Sequence, residues 1–504
     1  MRLLTVMLSQ AASRFTWAGR LAAGSLLIRC ASFCALALAL AQAAGADRDL
    51  PAFMSSAAVA AQTGAGLPPN WGLNEEKPVP ASYRLDLQGG VTPENLSELE
   101  RSLRALPSIS IVLPQADLFD VERGIYSHPR ETGKGWERAA QIRFLPVDGS
   151  PGFEIKAGLR IHGGWSRRPE ESPKHSFRLA FRKQYGARDL EYPLFGSKPD
   201  RFNTLVLRAG NNNTWLHPDS AERRRADYLR DSWMRATHAA MGYAAARDRF
   251  VHLYLNGLYW GVYDLTERPD AAFAAEREGG DVADYDSRNS GKIMSGDDLA
   301  WKKLFALVNA GVTNAAEYAE VSKLVDIPAF IDYMILNFYG ANGDWDRVSN
   351  WYASRRRDPP GPWRFQVWDG ERTLEGVDDD RIEGDEDESP MRLFQRLRGY
   401  AAFQQSFRNR AHLHLTGQGA LAPQVAGERY RQLAQQLEPA IFAEAARWGY
   451  YRQAVHPFRL GPFERYNRDD YWKPEVHRLL EQYFPNRAEA LSRQLRALGL
   501  LAMP

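Results

Sequence analysis

From Ser108 to Leu265 the apolar residues of this chain recur at every second position in short bursts, and beyond Asp297 the spacing changes to three and four. Side chains alternate across a strand but wind around a helix, so this change of period dictates a β-rich part followed by an α-rich part. The bursts Ser108–Leu113, Ala140–Leu145, Ala157–His162 and His175–Phe181 are separated by Gly, Pro and Asp, as an antiparallel sheet requires. Phe250–Leu255 and Leu258–Leu265 flank Asn256-Gly257 and read as a hairpin. A helix is expected over Asp219–Met241, and others over Ala329–Tyr339, Met391–Leu415, Gly427–Trp448 and Pro474–Leu498. The fold class is therefore α+β, with a β-rich lobe over 83–270 and an α-rich lobe over 271–504.

Residues 1–46 carry four arginines, no acid, and the apolar run Cys30–Ala41 ending in Ala44-Gly-Ala46. That is the pattern of a secretory signal peptide, and its apolar run is shorter than the roughly 20 residues that span a bilayer. A secreted or periplasmic protein is expected, with no stable membrane insertion after cleavage. Both cysteines lie inside this segment, so the mature chain has no thiol for disulfides, zinc or nucleophilic catalysis. Without it the chain holds 60 basic and 62 acidic residues, a balance that argues against nucleic acid as partner. Residues 47–82, rich in Ala, Gly and Pro, read as a flexible linker.

The stretch Asn342–Glu371 carries the chemistry. Asp344 and Asp346 precede Asn350 by six and four residues, and Asp369 ends the apolar run Phe365–Trp368. One carboxylate can orient a hydroxyl nucleophile, while Asn350 and Asp369 supply hard oxygen ligands for Mg2+ or Mn2+ bridging nucleotide phosphates. Protein kinases use that order of groups, and also a β lobe before an α lobe.

Upstream, Lys174 stands between the Gly163-Gly164 turn with Ser166 and a strand, where its ammonium could pair with phosphate oxygens; a solvated strand-edge lysine is the plain alternative. Gly163 and Gly164 could present N–H groups to phosphate, or simply form a turn. Arg160 is a secondary source of positive charge. Glu222, Asp227 and Asp231 are the acids of the following helix that could hold the phosphate-binding lysine. Glu267 ends the second hairpin strand, where it could accept from ribose or the base amine, or pair with Arg268. The acidic run Asp378–Glu388 is expected to be solvated. No His-Glu-x-x-His spacing occurs, so zinc hydrolysis is not expected. Glycosidase chemistry by Asp344 and Asp369, with some of the 14 tryptophans as stacking platforms, is a rival that leaves Lys174 and Asn350 unused.

Gly124-Ile-Tyr126, Gly135–Arg138, Gly158–Arg167, Ser172–Leu179, Asn256–Tyr263 with Glu267-Arg268, and Trp368-Asp369 together resemble the CotH family, spore-coat-protein-H-like secreted atypical protein kinases, over about Ser108–Leu498. The resemblance implies a divergent protein-kinase-like two-lobe fold. It also implies ATP with a divalent cation, and a protein substrate on the surface or outside the cytoplasm. It carries over Lys174 as the phosphate lysine, Asp231 from the Arg230-Asp231 pair, Asp344 from the Asp-Trp pair with Asp346 as runner-up, and Asn350 with Asp369 as cation ligands. Glu371 stands where the family's motif has Asp. A non-catalytic surface or coat assembly protein, and an adenylyltransferase on the same fold, stay open.

Overall fold

The structure, a computed structural model, describes residues 51–196, 200–345 and 349–502. Pro51–Val147 and Gly152–Pro504 form one compact unit, described here; Asp148–Pro151 fall outside it.

A small hairpin of β1 (Asn70–Asn74) and β2 (Lys77–Pro80) precedes the main sheet. Seven strands then close a barrel: β3 (Ser108–Val112), β4 (Arg138–Leu145), β5 (Phe153–His162), β6 (Ser176–Ala180), β9 (Thr204–Arg208), β10 (Asp248–Leu255) and β11 (Leu258–Glu267). Between β6 and β9, β7 (Leu190–Tyr192) pairs with β8 (Asp200–Phe202). The barrel runs β10-β11-β9-β6-β5-β4-β3, and the parallel pairing of β3 with β10 closes it. All four expected early strands form. Asn256 and Gly257 take φ of 48° and 82°, the left-handed values a two-residue hairpin turn demands.

A second sheet, in the order β13-β12-β14-β15, is built from β12 (Tyr285–Asn289), β13 (Lys292–Ser295), β14 (Trp351–Arg356) and β15 (Arg364–Val367). Around it pack helices that include α1 (Arg230–Ala240), α2 (Ala271–Glu278) and α3 (Ile327–Gly340), whereas α4 (Ile441–Glu444) packs on β11 of the barrel. α3 is buried along nearly its whole length, as its apolar sequence dictates. The architecture is mixed α+β, β-rich first.

Three expectations need correction. The helix expected over Asp219–Met241 is two, Ser220–Arg224 and α1, because Tyr228 adopts φ 66° and the Asp227 carboxylate accepts from Leu229 N–H at 2.7 Å. From Pro51 the expected linker is folded: Met54 and Trp71 are buried, and the Trp71 ring lies 4.8 Å from Tyr83 and 5.7 Å from Trp260. Large apolar anchors outweigh the Ala and Gly content there. The boundary at residue 270 is crossed as well, since Trp448 and Tyr451, just after α4, join the barrel's core. The signal segment, residues 1–46, lies outside the described residues.

His252 sits inside this core with Nε2 2.9 Å from Ser102 O and Nδ1 3.0 Å from the Tyr259 hydroxyl. Burial lowers its pKa to about 4. The folded imidazole thus stays neutral where the unfolded one binds a proton, so stability is lost as pH falls from about 6.5 to 4. His252→Gln is expected to flatten that acid limb, by on the order of 3 kcal/mol at its foot, in urea unfolding at several pH values.

Candidate functional site

Alternation along β9 sends Leu205 and Leu207 into the barrel core and leaves Thr204, Val206 and Arg208 on the opposite face. Val206 packs against Tyr352 and Trp368 of the β14–β15 hairpin, so this face looks onto the second sheet. At its end, Arg208 gathers carboxylates from two separate segments. Its Nε meets Asp231 Oδ2 of α1 at 2.9 Å, and its Nη2 meets Glu371 Oε1 at 2.9 Å and Asp369 Oδ1. The guanidinium also lies 4.6 Å from the centre of the Trp368 ring.

The carboxylates are fixed in turn. Asp231 Oδ1 accepts from Gly370 N–H at 2.8 Å, and Glu371 Oε2 accepts from Asn212 N–H at 2.8 Å. Arg235 binds Asp231 and reaches Asp264 at 2.5 Å and Asp248 at 3.3 Å. Two guanidiniums therefore serve five carboxylates. Burial pushes the Glu371 carboxyl up to about 7 against the pull of Arg208, with Asp369 and Asp231 adding to the rise. Asp369 is raised by burial, with Asp231 and Asp344 adding and Arg208 opposing. Asp231 is also pushed up by burial, but Arg208 and Arg235 outweigh it and hold it below its ordinary value.

The β14–β15 pairing places Trp351 opposite Val367, which sets Asn350 and Asp369 at adjoining strand ends. Both take left-handed φ, 76° and 57°, which Asn and Asp tolerate better than other non-glycine residues. The Asn350 side-chain N–H donates to Asp344 O, so the loop before β14 is tied back on itself. Asp344 is half-buried, and its charge is felt at Asp369. The structure thus brings together Asp231, Asp344, Asn350 and Asp369 of the expected set. Asp346 lies outside the described residues.

An excess of hard anionic oxygens around one guanidinium is a donor set that fits Mg2+ or Mn2+. Asp369 is the most accessible of the three carboxylates around Arg208, 33% exposed along its side chain against 9% for Asp231 and 8% for Glu371. Among the described residues no group of three or more His, Cys, Asp or Glu could hold a metal by itself. An ion at Asp369 and Asn350 would need phosphate or water oxygens to complete its shell, as is usual for Mg2+.

Lys174 does not join this cluster, and the expectation for it is corrected. Its side chain is wholly buried; Nζ donates to Glu444 Oε1 of α4 and to Val262 O, each at 2.6 Å, between the rings of Tyr263 and Tyr228. Burial lowers its pKa, with Glu444 opposing. An ammonium so enclosed and neutralised does not reach a triphosphate. Glu444 Oε2 also accepts from Val262 N–H at 2.7 Å, and a Cβ on Gly261 would stand 2.5 Å from that oxygen, so only glycine fits there.

Glu267 is likewise engaged. Arg247 holds it at 2.8 Å and Arg277 at 2.5 Å, and although burial raises its carboxyl these partners keep it below the ordinary range. It is an ion-pair anchor, but with Arg247 and Arg277 in place of the Arg268 considered from sequence. Gly163, Gly164 and Ser166 belong to a long connection from β5 to β6, not a tight hairpin. Gly163 takes φ 116°, and a Cβ there would lie 2.3 Å from Ser166 Oγ. Arg167 ties the loop down through Gly163 O and Ile161 O, each at 2.6 Å. The loop springs from His162, whose ring meets Trp368 edge-on at 6.4 Å. Arg160 is the cross-strand neighbour of Arg178 and lies 4.0 Å from Glu137 Oε2.

Arg208 is the residue that sequence reasoning missed. The signal was present in Thr204-Leu-Val-Leu-Arg208, an alternating strand ending in a lone base before Ala-Gly-Asn.

A family model described as CotH kinase protein matches residues 159–491, most of the chain. The span begins within β5, so the Gly124–Tyr126 and Gly135–Arg138 motifs lie before it. No curated protein matches the chain.

Proposed function

This chain belongs to the CotH kinase family, and from that premise we propose that it is an exported, metal-dependent atypical protein kinase on a divergent two-lobe, protein-kinase-like fold. It transfers the γ-phosphate of ATP to a hydroxyl side chain of a surface or extracytoplasmic protein. The observation that carries this reading is the convergence on Arg208 of Asp231 and Asp369, with Asn350 and Asp344 alongside.

In that reading Arg208 takes the part expected of Lys174. It is buried and bound by Asp231, Asp369 and Glu371, and it can turn Nη2 to a phosphate oxygen only as the cation draws off Asp369, the one partly exposed carboxylate of the three. Asp344 orients the acceptor hydroxyl and receives its proton as the oxygen attacks the γ-phosphorus and the bond to the β-phosphate oxygen breaks, releasing ADP. Asn350 and Asp369 would hold Mg2+ or Mn2+, which would neutralise phosphate charge. Rate enhancement then comes from positioning and charge, without a covalent intermediate.

The test is incubation of the protein with Mn2+ and ATP labelled separately on the α and γ phosphates, with an acceptor protein. Label from γ alone is expected. Label from α would replace the reading with adenylyl transfer, and no label from either would leave a non-catalytic assembly protein.

A further inference from the structure

The face of β9 that ends at Arg208 begins at Thr204, and there it opens into a groove of about 770 Å³ between β6, β9 and α2. Its charged rim carries Arg178, Arg182, Lys183, Arg188 and Arg201 against Asp189, Glu276 and Asp281. The bases are in excess and several are poorly neutralised. Arg178 Nε is buried with no hydrogen-bond partner, and its Nη2 reaches only the Thr204 hydroxyl at 3.2 Å. Arg160 and Arg268 crowd it, and burial together with those two guanidiniums pulls its pKa down to about 10. Lys183 has no ion-pair partner among the described residues, and Arg188 has only Asp189 at 4.0 Å.

A half-buried guanidinium that lines a groove, with Nε unpartnered and no carboxylate bound to it among the described residues, calls for an anion. The interleaved acids would repel a uniformly charged polyphosphate or nucleic acid, and Phe181, Ala272 and Ala275 give the walls an apolar component. Mixed walls of this kind suit a peptide with acidic side chains. Thr204 is the point where β9 meets this groove, and beyond it Val206 is covered by Tyr352 and Trp368, so the groove is a surface separate from the Arg208 cluster.

We propose that this groove docks an acidic segment of the protein acceptor. The proposal rests on the kinase reading for its acceptor, but binding tests it without catalysis. The probe is a fluorescein-labelled peptide with one Ser and a Glu/Asp cluster, compared with the same peptide carrying Gln/Asn, by anisotropy at low salt. The acidic peptide is expected to bind at least about tenfold more tightly. The doubly reversed variant Lys183→Glu/Arg188→Glu, altered only at exposed positions, is expected to lose that preference while keeping Mn2+–ATP binding and transfer to the neutral peptide. Equal binding of the two peptides, a preference that survives the reversal, or tighter binding of inorganic tripolyphosphate than of the acidic peptide overturns it. Reversal-sensitive acidic binding without any phosphate transfer upholds the groove and removes the kinase reading.

Discussion

Asp369→Asn is expected to lower metal-dependent transfer of the γ-phosphate by at least about a hundredfold while the chain stays folded. The first half follows from position: Asp369 is the partly open carboxylate at the end of β15, beside Asn350 and within the field of Asp344. An amide keeps the shape but withdraws the charge that a divalent cation requires. The second half follows from electrostatics. Burial and the neighbouring acids Asp231 and Asp344 already raise this carboxyl, so a neutral side chain relieves repulsion, and Arg208 keeps Asp231 and Glu371. Radiolabel transfer alongside thermal unfolding checks both. A variant that transfers label normally would remove Asp369 from the site; one that unfolds would make it a structural residue.

Lys174→Met is expected to cost about 3–5 kcal/mol of stability, because it strands the Glu444 carboxylate in the core without its cation. Pairing it with Glu444→Gln is expected to recover most of that loss. The Gln carbonyl can still accept from Val262 N–H, and both charges of the pair are removed together, leaving the buried Arg447 with its bond to Tyr259 O. Urea unfolding of the three proteins measures this. The folded double variant is expected to bind Mn2+–ATP like the parent, whereas Arg208→Gln is expected to weaken that binding at least about tenfold. If the double variant loses nucleotide and Arg208→Gln does not, the phosphate-binding cation is Lys174 after all.

Much of the architecture was legible because it rests on local periodicity. Alternation in Ser108–Leu113 and Ala157–His162 placed β3 and β5, and Asn256-Gly257 marked its hairpin because both residues tolerate left-handed backbone. The split of Asp219–Met241 was not legible, because the left-handed turn at Tyr228 is held by its surroundings and not by its own preference. The folding of residues 51–82 was hidden for a related reason: Trp71 is ordered by Tyr83 and Trp260, partners that composition does not reveal.

The site divides along the same line. Asp344, Asn350 and Asp369 could be picked from the chain, since a short loop and one antiparallel hairpin join them and hard oxygens at that spacing have few other uses. The choice of cation belonged to tertiary structure alone. Lys174 is neutralised by a glutamate 270 residues away, and Arg208 is turned toward a carboxylate 161 residues away. Charge is visible in a sequence, but which distant partner is buried with it, and so how far it is neutralised, is decided only when the chain folds.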